Sequence, residues 1–127
     1  MGSEKFDAGL AVRKAVLGSD YVERALAEAD DFTGALQELV TENAWGTVWT
    51  RDGLSRRERS MLTVVMLIAL NRPHELKIHL RGALTNGVTK DELREMFLHA
   101  SVYCGMPATV DAFRTAKEVF KDLGMSP

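Results

Sequence analysis

Cysteine is nearly absent. Cys104 stands alone among 127 residues, so no internal disulfide, CxxC redox pair or thiolate metal cage can form within the chain. Long hydrophobic runs are missing too: the longest, Met61 to Leu70, is ten residues interrupted by Thr63, well short of the roughly 20 needed to span a bilayer. Nor is there an excess of charge. Sixteen Lys and Arg against eighteen Asp and Glu leave a net charge of -2, and the pI lies near 5.9. That balance carries no basic stripe to displace counterions from phosphates, so nucleic acid is not an expected partner. The opening Met1-Gly2-Ser3-Glu4-Lys5-Phe6 has no apolar signal segment, and Gly2 lacks the downstream Ser or Thr of a myristoylation signal. A cytoplasmic protein without a membrane partner is therefore expected.

What is present is a globular balance, 46% hydrophobic and 27% charged, neither apolar-poor nor charge-rich enough for disorder. The length suits one domain spanning 1–127 with a single core. Helix signals recur along it. Ser55-Arg56-Arg57-Glu58 and Thr89-Lys90-Asp91-Glu92 are capping boxes, in which a hydroxyl and a glutamate three residues later satisfy free backbone N–H groups. Between them, Pro73 suits a first helical position and Asn86-Gly87 a left-handed exit, bracketing a helix of about 13 residues.

After Thr89, the positions Leu93, Met96, Phe97, Ala100, Tyr103 and Cys104 make the stripe of a helix packed on one side, which Gly105 ends. Pro107 begins a last helix with Phe113, Ala116, Phe120 and Leu123 on its stripe, stopped by Gly124. Two or three shorter helices are expected over residues 6–17, 21–29 and 31–44. The segment Met61 to Leu70 is apolar nearly all round. Its capping box and a length near 16 residues favour a helix over a buried strand, and a domain this small cannot enclose such a helix by itself, so neighbouring subunits are expected to cover part of it.

Glu75 and His79 are four residues apart, on one helix face and within reach of each other. The same line continues to Gly82 and Asn86, beside the core stripe of Leu76, Leu80, Ala83 and Leu84. Gly82 removes a side chain there, leaving room for a ligand. A carboxylate beside an imidazole raises its pKa and fixes its tautomer, which would prepare a proton donor at neutral pH. Spacing alone fits a solvated surface pair as well, which is the commoner case. His74 and His79, five residues and hence about 140° apart on a helix, do not fit the one-face geometry of a zinc site.

His99 and Tyr103 repeat the four-residue relation on the next helix, as pocket donors or as hydrogen-bonded core residues. Trp45, Trp49 and Arg51 lie in a segment rich in turn signals before Ser55. Two indoles and a guanidinium suit a pocket for a flat organic anion, and structural packing of the tryptophans fits equally. Arg81 points about 200° away from His79, toward a neighbouring helix or subunit.

Two segments carry more than spacing: ENAWGTVWTRDGLSRRER, and LIALNRPHELKIHLRGALTNGVTKDELREMFLHASVYCGMPA. Together they resemble the carboxymuconolactone decarboxylase family, over nearly the whole chain and most strongly from Asn43 to about Ala116. The resemblance implies an all-α, AhpD-like bundle of about six to seven helices that assembles as a trimer or hexamer. AhpD-type relatives carry CxxCxxxH; with its histidine on His79, Arg72 and Glu75 take the two cysteine positions, so dithiol peroxidase chemistry is excluded.

The implied reaction converts 4-carboxymuconolactone, a small lactone carboxylate, to 3-oxoadipate enol-lactone and carbon dioxide in protocatechuate breakdown, with no cofactor and no metal. On that resemblance His79 is the expected proton donor and Glu75 its orienting partner. Arg51 is the expected anion anchor, with Trp45, Trp49, His99 and Tyr103 as further substrate contacts. Two rivals remain: a related decarboxylase or isomerase of another small acid, and a non-catalytic helical oligomeric binding module.

Overall fold

A computed structural model describes residues 3–126. Among them are seven α-helices and one π-helical segment, and no strand. The all-α architecture expected from the sequence is what the chain adopts. No helix among the described residues is long and apolar enough to cross a membrane. The chain divides into two compact units, Met1–Arg56 and Arg57–Pro127.

The first unit contains α1 (Glu4–Leu17), α2 (Ser19–Ala27), α3 (Gly34–Leu39) and the π segment Val40–Val48 that continues α3. The Ser3 hydroxyl caps α1, accepting from the Phe6 N–H at 3.0 Å. Helix α1 lies directly against the π segment because both contribute a glycine at the crossing. A Cβ on Gly9 would overlap the Thr41 carbonyl oxygen, and one on Gly46 would overlap the Lys5 carbonyl oxygen. Val12, Val16 and Trp45 form the core of this unit. Arg13 is buried with them. Its Nη1 donates to Gln37 Oε1 at 2.9 Å and Thr41 Oγ1 at 3.3 Å, and burial lowers its pKa against the opposing pull of Tyr21.

The third helical stretch runs further than expected. The residues before Gly34 form a turn, in which the Asp30 carboxylate accepts from the N–H groups of Phe32 and Thr33. Beyond Leu39 the backbone widens to i→i+5 bonding, as in Trp49 N–H to the Ala44 carbonyl at 3.0 Å, and carries Trp45 into a helix instead of a loop. Turn signals in the sequence did not anticipate this.

The second unit contains α4 (Arg56–Ala69, starting at the unit boundary), α5 (Pro73–Thr85), α6 (Lys90–Cys104) and α7 (Met106–Asp122). Helix α5 has the 13 residues and the Pro73 start read from the sequence, and Gly87 leaves it at φ 92°. The Thr89 capping box forms completely: Thr89 Oγ1 accepts from the Glu92 N–H at 3.1 Å, and Glu92 Oε1 accepts from the Thr89 N–H at 2.9 Å. Arg57 of α4 pairs with the same Glu92, tying two helix starts together. Val64, Ile68, Leu76, Leu80, Leu93, Phe97, Ala112 and Val119 fill one core. Within it, Phe97 meets Phe113 edge-on at 5.1 Å. Arg81 reaches Asp122 on α7 at 3.4 Å, and Lys77 lies beside Glu118 and Asp122.

Candidate active site

Helix α5 positions the central pair. Leu76, Leu80 and Ala83 are buried at i, i+4 and i+7, so the line one residue ahead of them, Glu75 and His79, borders the packed side. Glu75 sits in the first turn, where a carboxylate is favoured by the helix dipole, and is exposed. His79 is partly buried. Further along the line Gly82 is buried, and Asn86 Nδ2 donates to the fully buried Ser60 of α4 at 2.9 Å. Gly82 therefore belongs to the packed side of the helix; the room expected at its missing side chain is not an open face.

The electrostatics of the pair correct one expectation. Glu75 does raise the imidazole's pKa, but desolvation outweighs it, and His79 titrates below its ordinary value. The carboxylate is in water, where its field is screened, while the imidazole has lost hydration. In the free chain His79 is accordingly neutral at neutral pH, and is not held charged by its neighbour.

The other candidates fall into two groups. In the first unit, Trp45 is buried in the core and tilts against half-buried Trp49, with ring centroids 4.7 Å apart; Arg51 is exposed. In the second unit, His99 and Tyr103 lie with centroids 5.2 Å apart, and both are exposed. Tyr103 thus leaves the buried stripe on which the sequence pattern put it. It is about 80° from Leu93 around the helix axis, at the edge of the stripe, and 77% of its surface is open.

Two buried polar groups escaped sequence reading. Ser60 shares the i, i+4, i+8 stripe of Val64 and Ile68, a spacing that was legible. Arg13 gave no such signal. The π segment was also hidden, although π-helical turns recur at functional sites. The largest cavity, about 860 Å³ between α6 and α7, includes none of the expected site residues.

Comparison with known proteins supplies what geometry does not. The model of the carboxymuconolactone decarboxylase family matches residues 34–118. The chain belongs to the carboxymuconolactone decarboxylase family. It is 48% identical, over 98% of its length and 92% of the relative's, to a 4-carboxymuconolactone decarboxylase of Acinetobacter baylyi. It is 52% identical, over 93% of its length and 82% of the relative's, to a nitrosuccinic acid decarboxylase of Metarhizium robertsii. A 4-carboxymuconolactone decarboxylase of Pseudomonas putida is 46% identical over 43 residues, 34% of this chain and 90% of that one. Within the carboxymuconolactone decarboxylase family, then, these relatives are named as decarboxylases of small acids.

Proposed function

We propose that this chain is a cofactor-independent carboxy-lyase that converts 4-carboxymuconolactone to 3-oxoadipate enol-lactone and carbon dioxide. The observation that carries the reading is His79, a desolvated imidazole beside a carboxylate, in a chain 48% identical to a 4-carboxymuconolactone decarboxylase over nearly its whole length. The C–C bond to the leaving carboxylate breaks, and its electron pair delocalises through the ring double bond onto the lactone carbonyl as carbon dioxide departs. The substrate supplies its own electron sink, so the step asks nothing of pyridoxal phosphate, thiamine or a metal.

A proton must then reach the ring carbon, and His79 delivers it. A substrate bearing two carboxylates reverses the effect of burial, because negative charge beside the imidazole favours the imidazolium. The proton is taken up with the substrate and transferred to carbon, which matches the proton consumed when a carboxylate is replaced by hydrogen. Glu75 orients His79 and adds to that field. Arg51 anchors the acetate arm, Trp45 and Trp49 supply an apolar wall, and His99 and Tyr103 are further contacts.

A second reading has its own support, the 52% identity to a nitrosuccinic acid decarboxylase. The chemistry is parallel: the nitro group takes the place of the conjugated carbonyl as electron sink. Incubating the purified chain with either acid, without added cofactor, and following carbon dioxide release with lactone absorbance separates the two. Faster release from 4-carboxymuconolactone supports the first reading; release from nitrosuccinic acid alone replaces it with the second.

The same reading treats residues 1–127 as one functional domain, since the family match crosses the boundary at Arg56 and Arg57. It places the enzyme in the cytoplasm, which cell fractionation checks. It also makes the enzyme a homo-oligomer, a trimer or hexamer. Leu62, Met66 and Leu70 form an exposed row on α4, and Leu98 and Val102 another on α6, faces that association would cover.

A further inference from the structure

Two surfaces of this chain are each incomplete, and their chemistry matches. The first is the groove between α6 and α7. Leu93, Phe97, Phe113 and Phe120 make its apolar floor, and Lys117 and Lys121, one turn apart on α7, stand on its rim. Arg94 and Arg114 on that rim are matched by acids of their own helices, Arg94 by Asp91 and Glu95 and Arg114 by Asp111. Glu118 on the lining is drawn to Lys77. Lys117 and Lys121 form no ion pair among the described residues, so the groove's uncompensated charge is positive.

The second surface belongs to the turn before α3 and to α3 itself. Phe32 is 90% exposed, and Leu36 and Leu39 are 58% exposed each. Their i, i+4, i+7 spacing aligns them as a stripe. Single exposed apolar side chains are ordinary, but a contiguous stripe with a charged border marks an interaction site. The border here is acidic, with Glu28, Asp30 and Asp31 preceding the stripe. The hydrogen bonds that Asp30 accepts from Thr33 and Phe32 fix the turn presenting the Phe32 ring, and they keep that carboxyl below its usual range.

We propose that the Phe32, Leu36 and Leu39 stripe of one copy of this chain seats in the α6–α7 groove of a second copy. The arrangement is a helix laid into an apolar groove. Phe32 meets the groove's phenylalanines, and Glu28 and Asp31 face Lys117 and Lys121. Opposite charge around an apolar centre sets register and selects the partner. Because stripe and groove are different patches, the contact closes either by two copies exchanging stripes or by a ring. This pairing stands apart from the catalytic reading, since neither surface contains Glu75 or His79.

The test uses the full chain with Cys104→Ser, into which Leu36→Cys and Lys117→Cys are introduced separately. Both positions are exposed, so both variants are expected to fold, as circular dichroism checks. Mixed and oxidised, the two variants are expected to give a covalent dimer several-fold more abundant than either gives alone. Adding Phe32→Ser, or raising salt to about 1 M, where the screening length falls to about 3 Å, should reduce it. No mixed dimer, or equal yields from the mixture and the single variants, overturns the proposal. So does an intrachain disulfide in the Leu36→Cys/Lys117→Cys double variant without a mixed dimer, since the stripe would then seat in its own chain's groove.

Discussion

His79 shows how one residue's chemistry is set by two opposed influences, and their balance can be measured. Its pKa lies below the ordinary histidine value because burial outweighs Glu75. Between that lowered value and about 6.5, the unfolded chain holds a proton that the folded chain does not, so stability falls as pH drops through this window. Thermal unfolding at pH 7.5 and 5.5 should show a larger loss for the wild-type chain than for His79→Gln; equal losses would mean that the imidazole is not desolvated. In the substrate complex the sign is different. If the imidazolium is the acid, activity declines as pH rises past its pKa, and Glu75→Gln should move that decline to lower pH. A profile unchanged by Glu75→Gln would remove the carboxylate from any electrostatic role.

At the scale of elements, packing decides more than capping. Phe97 is 1% exposed and edge-on to Phe113, so Phe97→Ala is expected to cost about 3–5 kcal/mol in chemical denaturation. Thr89→Ala loses one cap hydrogen bond and should cost about 1 kcal/mol. Gly9→Ala forces apart α1 and the π segment, and should destabilise by about 1–3 kcal/mol or more, since its neighbours are backbone atoms that cannot rotate away.

The second unit was legible because its boundaries are written in local chemistry. Pro73, Asn86-Gly87, the Thr89 box and Gly105 act within a few residues and need no tertiary partner. The Trp45 segment was not legible, because its i→i+5 bonding is tied to a close approach of Gly46 to α1 that no local pattern encodes. For the candidate site, spacing fixed the shared face of Glu75 and His79, yet not the depth of the imidazole. That depth reverses the expected shift. Tyr103 likewise sat at the margin of a stripe whose width only packing determines.

For the whole molecule, the exposed apolar rows on α3, α4 and α6 point the same way as the nearly all-apolar sequence of Met61 to Leu70. The charge of -2 is too small to oppose association. Sedimentation equilibrium should give a mass several times the 14.1 kDa of one chain, and a monomer at micromolar concentration would leave those rows without a role. Membership of the family and identity to named decarboxylases give the chain its chemistry, while Glu75 and His79 give that chemistry an address. The most direct test is turnover of 4-carboxymuconolactone by the wild-type chain and by folded His79→Gln, without added cofactor. The account predicts carbon dioxide release by the former and a loss of about 10²- to 10⁴-fold in the latter; near-normal turnover by His79→Gln would contradict it.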